Sequence, residues 1–310
     1  MFALRAPIPT PTWVSKVING NWWRALLIWI VTMVLRYGLS CMVILILADR
    51  STAQEQPRPR APFMVGEVLR YKVKWTFFRL GTVTIRQLSA NSSDPTQFLL
   101  EMSVQSNPSL PFIDVNFLHQ THLTTASQCL VRETIISGED PSERTLYWYD
   151  AASQQIFMVD SAGGKLTRRD SLLIKAPCYD ALGLLMRSRG LSGSGISLTM
   201  PTLNDYEIKP TEITFPNEVE EIEVAALDRP IRARRVEGTA KWVGRSFAGM
   251  SGPFRAWVSD DEAAVPLKAN VEIFLGSIIL ELESFERPGW SRDSKFAQIP
   301  EEQRKEELER

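Results

Sequence analysis

Histidine and cysteine are scarce in this chain, and neither sign of charge dominates it. Two histidines and three cysteines among 310 residues are too few for a zinc-finger array or a small protein held together by disulfides. The 35 Lys and Arg residues nearly balance the 36 Asp and Glu residues, so the chain has no broad positive field to attract a nucleic acid. The sequence therefore predicts no metal centre, no cofactor and no nucleic-acid partner.

The chain does contain one long apolar stretch near its N-terminus, residues 25–48. As a helix, this stretch would extend about 36 Å, which is enough to cross the apolar core of a bilayer. Arg36 interrupts it, and two interpretations stay open for residues 1–53: a signal peptide that is cleaved, or a membrane anchor that is retained. Both interpretations place the remainder of the chain outside the cytoplasm.

Beyond a linker at residues 54–65, the chain alternates apolar and polar side chains in many short runs up to residue 285. In the clearest run, residues 67–77, Tyr71 and Trp75 alternate with Lys72 and Lys74, which is the period of two expected for a strand. Similar runs, separated by residues that favour turns, predict twelve or more strands in residues 66–285. Residues 286–310 are expected to be a charged C-terminal tail.

One interruption of this pattern follows Pro177, where Asp180 can cap a helix of about three turns that ends near Gly190. The sequence thus predicts a mostly β fold: a large curved antiparallel sheet or half-barrel with meander connections and one short central helix, preceded by the N-terminal membrane segment. It leaves open whether the strands form one sheet or two coupled sheets. It also leaves open whether Cys129 and Cys178 form a disulfide.

No arrangement typical of catalysis stands out in the sequence. His119 and His122 are three residues apart in a predicted strand, so they point to opposite faces and cannot grip one metal ion. Residues 244–249 lack the spacing of a nucleophile elbow, and the contiguous acids at residues 260–262 are typical of a solvated hairpin tip rather than a calcium loop. We therefore expect a protein that is not an enzyme, with a hydrolase as the weakest hypothesis.

Two pairs of residues are candidates for ligand binding. Arg232 and Arg234 share one face of a predicted strand and would suit an anionic ligand or headgroup, unless acidic residues at 218–223 simply neutralise them. Tyr71 and Trp75 lie on the apolar face of the first strand, where a curved sheet would shelter an apolar or amphipathic ligand. The expected partner is a lipid or part of a lipoprotein; the alternative is an envelope assembly protein that binds a protein partner.

Three short motifs follow one another along residues 66–285. They are an opening with Gly66, Glu67 and Gly81, a helix with Tyr179, Asp180 and Arg187, and a closing hairpin with Trp257, Pro266 and Gly276. In this order the motifs resemble family 3108 of the domains of unknown function, a bacterial family of exported proteins. The resemblance implies a mostly antiparallel β protein of the cell envelope, either periplasmic or anchored in the inner membrane and facing the periplasm. It implies no assigned activity, so we expect these motif residues to be structural.

Overall fold

The computed structural model describes residues 60–90, 96–110, 114–136, 143–174, 178–241, 251–273 and 276–290. All of them belong to the compact unit Pro57–Arg310. The predicted membrane segment and most of the predicted charged tail lie outside the described residues. Within the described ranges, no helix has the length and apolar character needed to cross a membrane.

These ranges form fifteen β-strands and one α-helix. The helix, α1 (Ala181–Leu191), lies between the eighth and ninth strands. The strands are β1 (Val68–Trp75), β2 (Phe78–Ser89), β3 (Gln97–Ser106), β4 (Asn116–Thr124), β5 (Cys129–Ile136), β6 (Glu143–Asp150), β7 (Gln155–Ala162), β8 (Lys165–Leu173), β9 (Ser197–Asn204), β10 (Glu207–Thr214), β11 (Val219–Ile222), β12 (Ile231–Ala240), β13 (Gly252–Ser259), β14 (Pro266–Ile273) and β15 (Gly276–Glu286).

All of the strands belong to one antiparallel sheet, so the described residues contain one sheet rather than two. Its order is β8-β7-β6-β5-β4-β3-β2-β1-β15-β14-β13-β12-β10-β9, with β11 paired to β12 beside this path. Most neighbours follow each other along the chain, as in a meander. The sheet has two halves, β8 to β1 and β15 to β9, which the pairing of β1 with β15 joins. In this pairing Val68 lies opposite Glu286 and Trp75 lies opposite Ile278.

The predicted strands are largely confirmed, and the differences have physical reasons. β1 ends at Trp75, two residues before the end of the predicted run 67–77, because Thr76 and Phe77 form the turn to β2, which begins at Phe78. β8 was not predicted, because its sequence KLTRRDSLL has no alternation of apolar and polar residues and most of its side chains are exposed. β11 has only four residues, too few for a recognisable pattern.

The alternation predicted for β1 is confirmed by the two faces of the strand. Tyr71 is buried and belongs to the main core cluster. Lys72 and Lys74 point to the opposite face, where their amino groups lie 3.3 and 2.8 Å from the carboxylate of Glu281. A shift of one residue would place these two charges in the core, so the burial pattern strongly favours this register.

The sheet curves around α1, because strands from both of its halves contact the helix. Leu182 belongs to the same core cluster as Leu69 of β1 and Leu282 of β15. Leu184 belongs to a second cluster with Val236 of β12. The helix also contacts β4 of one half of the sheet and β9 of the other.

Helix α1 lies across one end of the curved sheet. Near its start, a Cβ atom on Gly183 would lie 2.5 Å from the carbonyl oxygen of Ser127 in the β4–β5 turn, so only glycine fits there. Near its end, Arg189 donates hydrogen bonds to the carbonyls of Ala263 and Ala264 in the β13–β14 turn. These two turns are at the same end of the sheet, and the β1–β2 and β3–β4 turns are at the other. The helix therefore covers one end of the sheet, and no helix of the described residues covers the other end, which we call the free end.

Candidate functional site

A cavity of about 460 Å³ lies between α1 and the concave face of the sheet. Its walls come from β1–β4 on one side and from β10 and β12–β15 on the other. The lining side chains are overwhelmingly apolar; among them are Val83, Met102, Val104, Phe117, Ala256 and Leu280. This combination of a concave, half-open volume and apolar walls is typical of a site for a small apolar molecule.

The cavity extends from α1 towards the opposite end of the sheet. Its deep part is lined by the buried residues Tyr71 and Ile85. Towards the free end of the sheet the lining residues are partly exposed, including Leu80, Phe117 and Ile278. These three residues stand at the β1–β2, β3–β4 and β14–β15 ends of the strands. We call this part of the cavity, at the end of the sheet opposite to α1, its mouth.

One face of α1 forms the floor of the cavity. Ala181, Leu184, Leu185 and Ser188 all line it, at the three- and four-residue spacing that places helical side chains on one face. Of these, Leu185 and Ser188 keep partial exposure although they point inward, because they face an unfilled volume rather than packed side chains. The floor is mostly apolar, like the walls.

A buried ionic network fixes the C-terminal part of α1 beneath this floor. The guanidinium of Arg189 forms two hydrogen bonds with the Glu67 carboxylate, at 2.7 and 2.9 Å, and both side chains are 1% exposed. Arg287 binds the same carboxylate at 2.5 Å, and Gln87 donates a further hydrogen bond to it. Buried charges are tolerated when they are paired and hydrogen-bonded in this way. The network ties the helix to the start of β1 and to the segment after β15.

A second buried network fixes the start of α1. Asp180 is the N-cap of the helix, as predicted, and its Oδ1 accepts the backbone N–H of Gly183 at 2.8 Å. Its Oδ2 accepts the hydroxyl of Thr121 at 2.5 Å and lies 3.2 Å from Nε2 of His119. His119 and Asp180 are both fully buried. The hydroxyl of Thr134 lies 2.9 Å from the remaining ring nitrogen.

The environment favours an ionised Asp180 and a neutral His119. Burial by itself would raise the pKa of Asp180, but hydrogen bonds from His119 and Thr121 and the charge of Arg132 outweigh it and hold that pKa below its usual value. Burial lowers the pKa of His119, even though Asp180 favours its protonated form. Because an ionised carboxylate only accepts, Nε2 of His119 carries the proton and Nδ1 accepts from Thr134. Neither His119 nor Asp180 lines the cavity.

The predicted basic pair lies away from the cavity and is paired with an acid. Nε of Arg234 donates to Asp260 at 2.7 Å, and Arg232 donates to the other oxygen of the same carboxylate at 3.0 Å. Arg234 also binds both the backbone carbonyl and the side chain of Asn217. Burial would raise the pKa of Asp260, but these arginines and Arg60 hold it below its usual value. The prediction of a solvated acidic tip is therefore wrong for Asp260, whose side chain is only 9% exposed.

Of the two aromatic residues predicted to bind a ligand, Tyr71 lines the cavity and Trp75 lies at its edge. Tyr71 lines the deep part, and its hydroxyl donates to the backbone carbonyl of Pro266 at 3.0 Å. Trp75 is partly exposed at the end of β1, next to Ile278 of the mouth. Of the predicted binding residues, the structure thus brings Tyr71 to the cavity, places Trp75 beside it, and leaves Arg232 and Arg234 elsewhere.

Several motif residues have structural roles that the geometry explains. A Cβ atom on Gly81 would lie 2.2 Å from the carbonyl oxygen of Gln105, so β2 can approach β3 only with glycine there. The backbone of Gly66 has a φ of +89° and that of Gly276 a φ of +101°, which favour glycine. The indole N–H of Trp257 donates to the Glu220 carboxylate at 2.8 Å.

The helix motif differs from the prediction at one position. Tyr179 forms an isolated bridge with Thr202 of β9, which positions the chain just before the cap. Arg187, the arginine that the resemblance selected, is partly exposed, whereas Arg189 is buried and binds Glu67. The structural arginine at the end of α1 is therefore Arg189. Sequence reasoning missed it because nothing local indicates a partner 122 positions away.

Neither cysteine of the described residues is in a disulfide: Cys129 and Cys178 are both free thiols. Burial raises the pKa of Cys178 to about 12 and raises that of Cys129 as well, so both thiols are protonated at neutral pH. Within the described ranges no group of three or more His, Cys, Asp or Glu side chains is arranged to hold a metal ion. The apolar cavity is thus the feature of this domain best suited to bind a ligand.

The fold and this cavity define an antiparallel β protein with an internal apolar volume closed at one end by a helix. The chain belongs to the DUF3108 family of proteins of unknown function, whose family model matches residues 70–283. No curated protein matches the chain. Among solved structures, it is similar to a β-barrel-like protein of domain of unknown function DUF1849 from Brucella abortus, with 9% identity and a TM-score of 0.49 over 73% of this chain and 99% of that one.

Proposed function

We propose that this protein binds an apolar or amphipathic ligand, such as a lipid or the acyl part of a lipoprotein, in the cavity above α1. The observation that supports this proposal is the apolar lining of an internal volume of about 460 Å³. An unfilled apolar volume of this size is costly in a folded protein, because its lining side chains lose packing contacts. A bound acyl chain would restore those contacts.

The volume suits one hydrocarbon chain rather than a whole lipid. A water-sized group occupies about 30 Å³, so the cavity has room for roughly fifteen such groups. A methylene group is of comparable size, which makes a single acyl chain of medium to long length the best match. The polar end of such a ligand would remain at the mouth, near the partly exposed residues Leu80, Phe117 and Ile278.

The proposed role is binding without catalysis. The cavity wall offers few groups that could act on a ligand, and the buried charged groups nearby already bind protein partners. Arg189 lies at the edge of the cavity floor, and its guanidinium donates hydrogen bonds to Glu67 and to two backbone carbonyls. The Asp180 carboxylate is likewise engaged by His119, Thr121 and the helix start.

We also propose that the domain works in the bacterial cell envelope, either in the periplasm or anchored in the inner membrane and facing it. The apolar stretch at residues 25–48 supports export. A reporter enzyme that is active only outside the cytoplasm, fused after the last residue, should be active. If the reporter is active when fused after Arg24 but inactive when fused after the last residue, the proposed topology is wrong.

The ligand proposal is tested by native purification of the full chain and mass spectrometry of the molecules that accompany it. We expect a molecule with a single acyl chain in the parent protein. Val104→Trp would fill the cavity and should lose most of this ligand. Ser103→Trp is the matched control, since it adds the same side chain one residue away on the other face of β3 and should retain the ligand.

The outcomes discriminate between the two functional hypotheses. Equal ligand content in the two tryptophan variants would mean that the cavity is not the binding site. A protein or peptide recovered in place of a lipid would instead support the alternative, an envelope assembly protein that binds a protein partner.

A further inference from the structure

The turn between β1 and β2 exposes two adjacent aromatic side chains. Phe77 is 83% exposed and Phe78 is 47% exposed, and their ring centroids are 4.3 Å apart. Phe77 is the most exposed large apolar side chain in the described part of the chain. Leaving such rings in water is unfavourable, and adjacent exposed apolar side chains commonly mark an interaction site.

The protein holds this aromatic turn firmly rather than leaving it free. Thr76 adopts a φ of +55°, which produces the tight turn between the strands, and its hydroxyl donates to the Trp75 carbonyl at 2.7 Å. The far side of the turn is fixed by Asn107, whose side-chain amide donates to the carbonyl of Arg79 at 3.0 Å. The backbone that presents the two rings is therefore ordered by local contacts.

The aromatic turn adjoins the mouth of the cavity. Val73 and Leu80, the residues just before and after the hairpin end, both line the cavity. Phe78 lies opposite Trp75 in the β1–β2 register, and Trp75 lies opposite Ile278, another lining residue. A surface that received the two rings would therefore lie against the opening through which a ligand enters.

The charges beside the turn nearly cancel, because Lys72 and Lys74 share the carboxylate of Glu281 and Arg79 pairs with Glu283, so attraction by charge is a minor contribution. The guanidinium of Arg79 binds Glu283 at 2.6 Å, and Lys74 binds Glu281 at 2.8 Å. Two phenylalanine rings bury at most roughly 300–500 Å², well below the roughly 800 Å² per partner of a stable protein interface. The same rings are sufficient to insert shallowly into the boundary between lipid headgroups and acyl chains.

We propose that Phe77 and Phe78 dock the domain on a lipid surface, and that the cavity exchanges its acyl ligand with that surface through the adjoining mouth. This inference rests on the proposed function of the cavity. It predicts docking on uncharged phosphatidylcholine, with little dependence on salt because the charges around the turn are already paired.

The test uses the full chain in phosphatidylcholine vesicles that contain a lipid with an alkyne-tagged acyl chain. A photoreactive p-benzoylphenylalanine replaces Phe77 in one protein and Leu166 in another. Leu166 is a matched control, because it is 61% exposed and lies on β8, far along the sheet order from the β1–β2 turn. Any membrane contact made by residues 1–59 is common to both proteins. We expect roughly tenfold more lipid captured at position 77 than at position 166.

A second pair of measurements separates docking from cavity binding. The same photoreactive residue in place of Phe117 reports on the cavity, with a tagged fatty acid supplied either from water or from vesicles. The double variant Phe77→Ser, Phe78→Ser should slow loading from vesicles roughly tenfold or more and leave loading from water unchanged. Both side chains are exposed, so the variant is expected to fold, which its melting temperature checks.

Each outcome has a definite meaning. Equal capture at positions 77 and 166, or vesicle loading that is unchanged in the double serine variant, would overturn the docking proposal. If the probe at Phe117 captured the fatty acid from water under those conditions, cavity binding would stand. If that probe captured nothing from either source, the proposed function would fail as well.

Discussion

Replacing Arg189 by methionine should destabilise the domain far more than the same change at Arg187, two residues away. Arg189 is buried, forms a bidentate ion pair with Glu67 at 2.7 and 2.9 Å, and satisfies two backbone carbonyls. Removing one partner of a buried ion pair costs about 3–5 kcal/mol. Because Arg287 still binds the carboxylate, the lower part of that range applies, and we expect a loss of about 3 kcal/mol. Arg187→Met, at a partly exposed site, should change stability by less than about 0.5 kcal/mol.

Urea unfolding followed by intrinsic fluorescence measures this difference. If the free energy of unfolding falls by about 2–3 kcal/mol per molar urea, Arg189→Met should lower the urea concentration at the unfolding midpoint by roughly 1–1.5 M. Arg187→Met should leave that midpoint nearly unchanged. Glu67→Gln should be more damaging than either, since it leaves two buried guanidinium groups without a carboxylate. Equal midpoints for the two methionine variants would refute the assignment of the buried network as the support of α1.

Three further predictions concern pH, a glycine contact and a buried hydroxyl. Because burial lowers the pKa of His119 in the folded state, the unfolded state binds more protons below pH about 6.5, so stability should fall by up to about 1.4 kcal/mol between pH 7.5 and 5.5. His119→Gln should remove this slope in denaturant titrations, and an unchanged slope in that variant would contradict the prediction. Gly81→Ala should lower the free energy of unfolding by about 1–3 kcal/mol in the same assay, since its Cβ would overlap a backbone carbonyl of β3. Gly190→Ala, on the open face of α1, should raise it by about 0.5–1 kcal/mol. The opposite order of the two variants would show that the β2–β3 contact is misassigned. Tyr71→Phe should lower the free energy of unfolding by about 1 kcal/mol, because the carbonyl of β14 loses its donor, and a neutral result would mean that this hydrogen bond contributes nothing.

Strands with one apolar face could be predicted from the sequence, and features made by contacts between distant residues could not. The alternation in β1 and the cap at Asp180 depend on residues a few positions apart, so the local sequence contains the signal. β8 exposes Leu166 and Leu173 and has charged residues in its middle, so its strand character comes from pairing with β7 rather than from its own pattern.

The same distinction explains the candidate site. Tyr71 could be predicted to face inward, because alternation determines the face of a strand. The cavity itself depends on how fifteen strands curve around one helix, and no local pattern encodes a volume. The sequence indicated acidic neighbours of Arg232 and Arg234 at residues 218–223, but it did not indicate Asp260, which binds both arginines from 28 and 26 positions away.

The pairing of β1 with β15 has a consequence for how the protein is made. The first and last strands of the described residues are neighbours, so a chain that emerges from the ribosome or a translocation channel N-terminus first presents β1 long before its second partner exists. During that interval, one edge of β1 and the apolar side chains of Leu69 and Tyr71 lack the cover that Leu282 later provides. Unpaired strand edges with apolar faces promote aggregation. We therefore expect newly made chains to depend on a chaperone until β15 arrives, and truncation before Gly276 to yield insoluble protein.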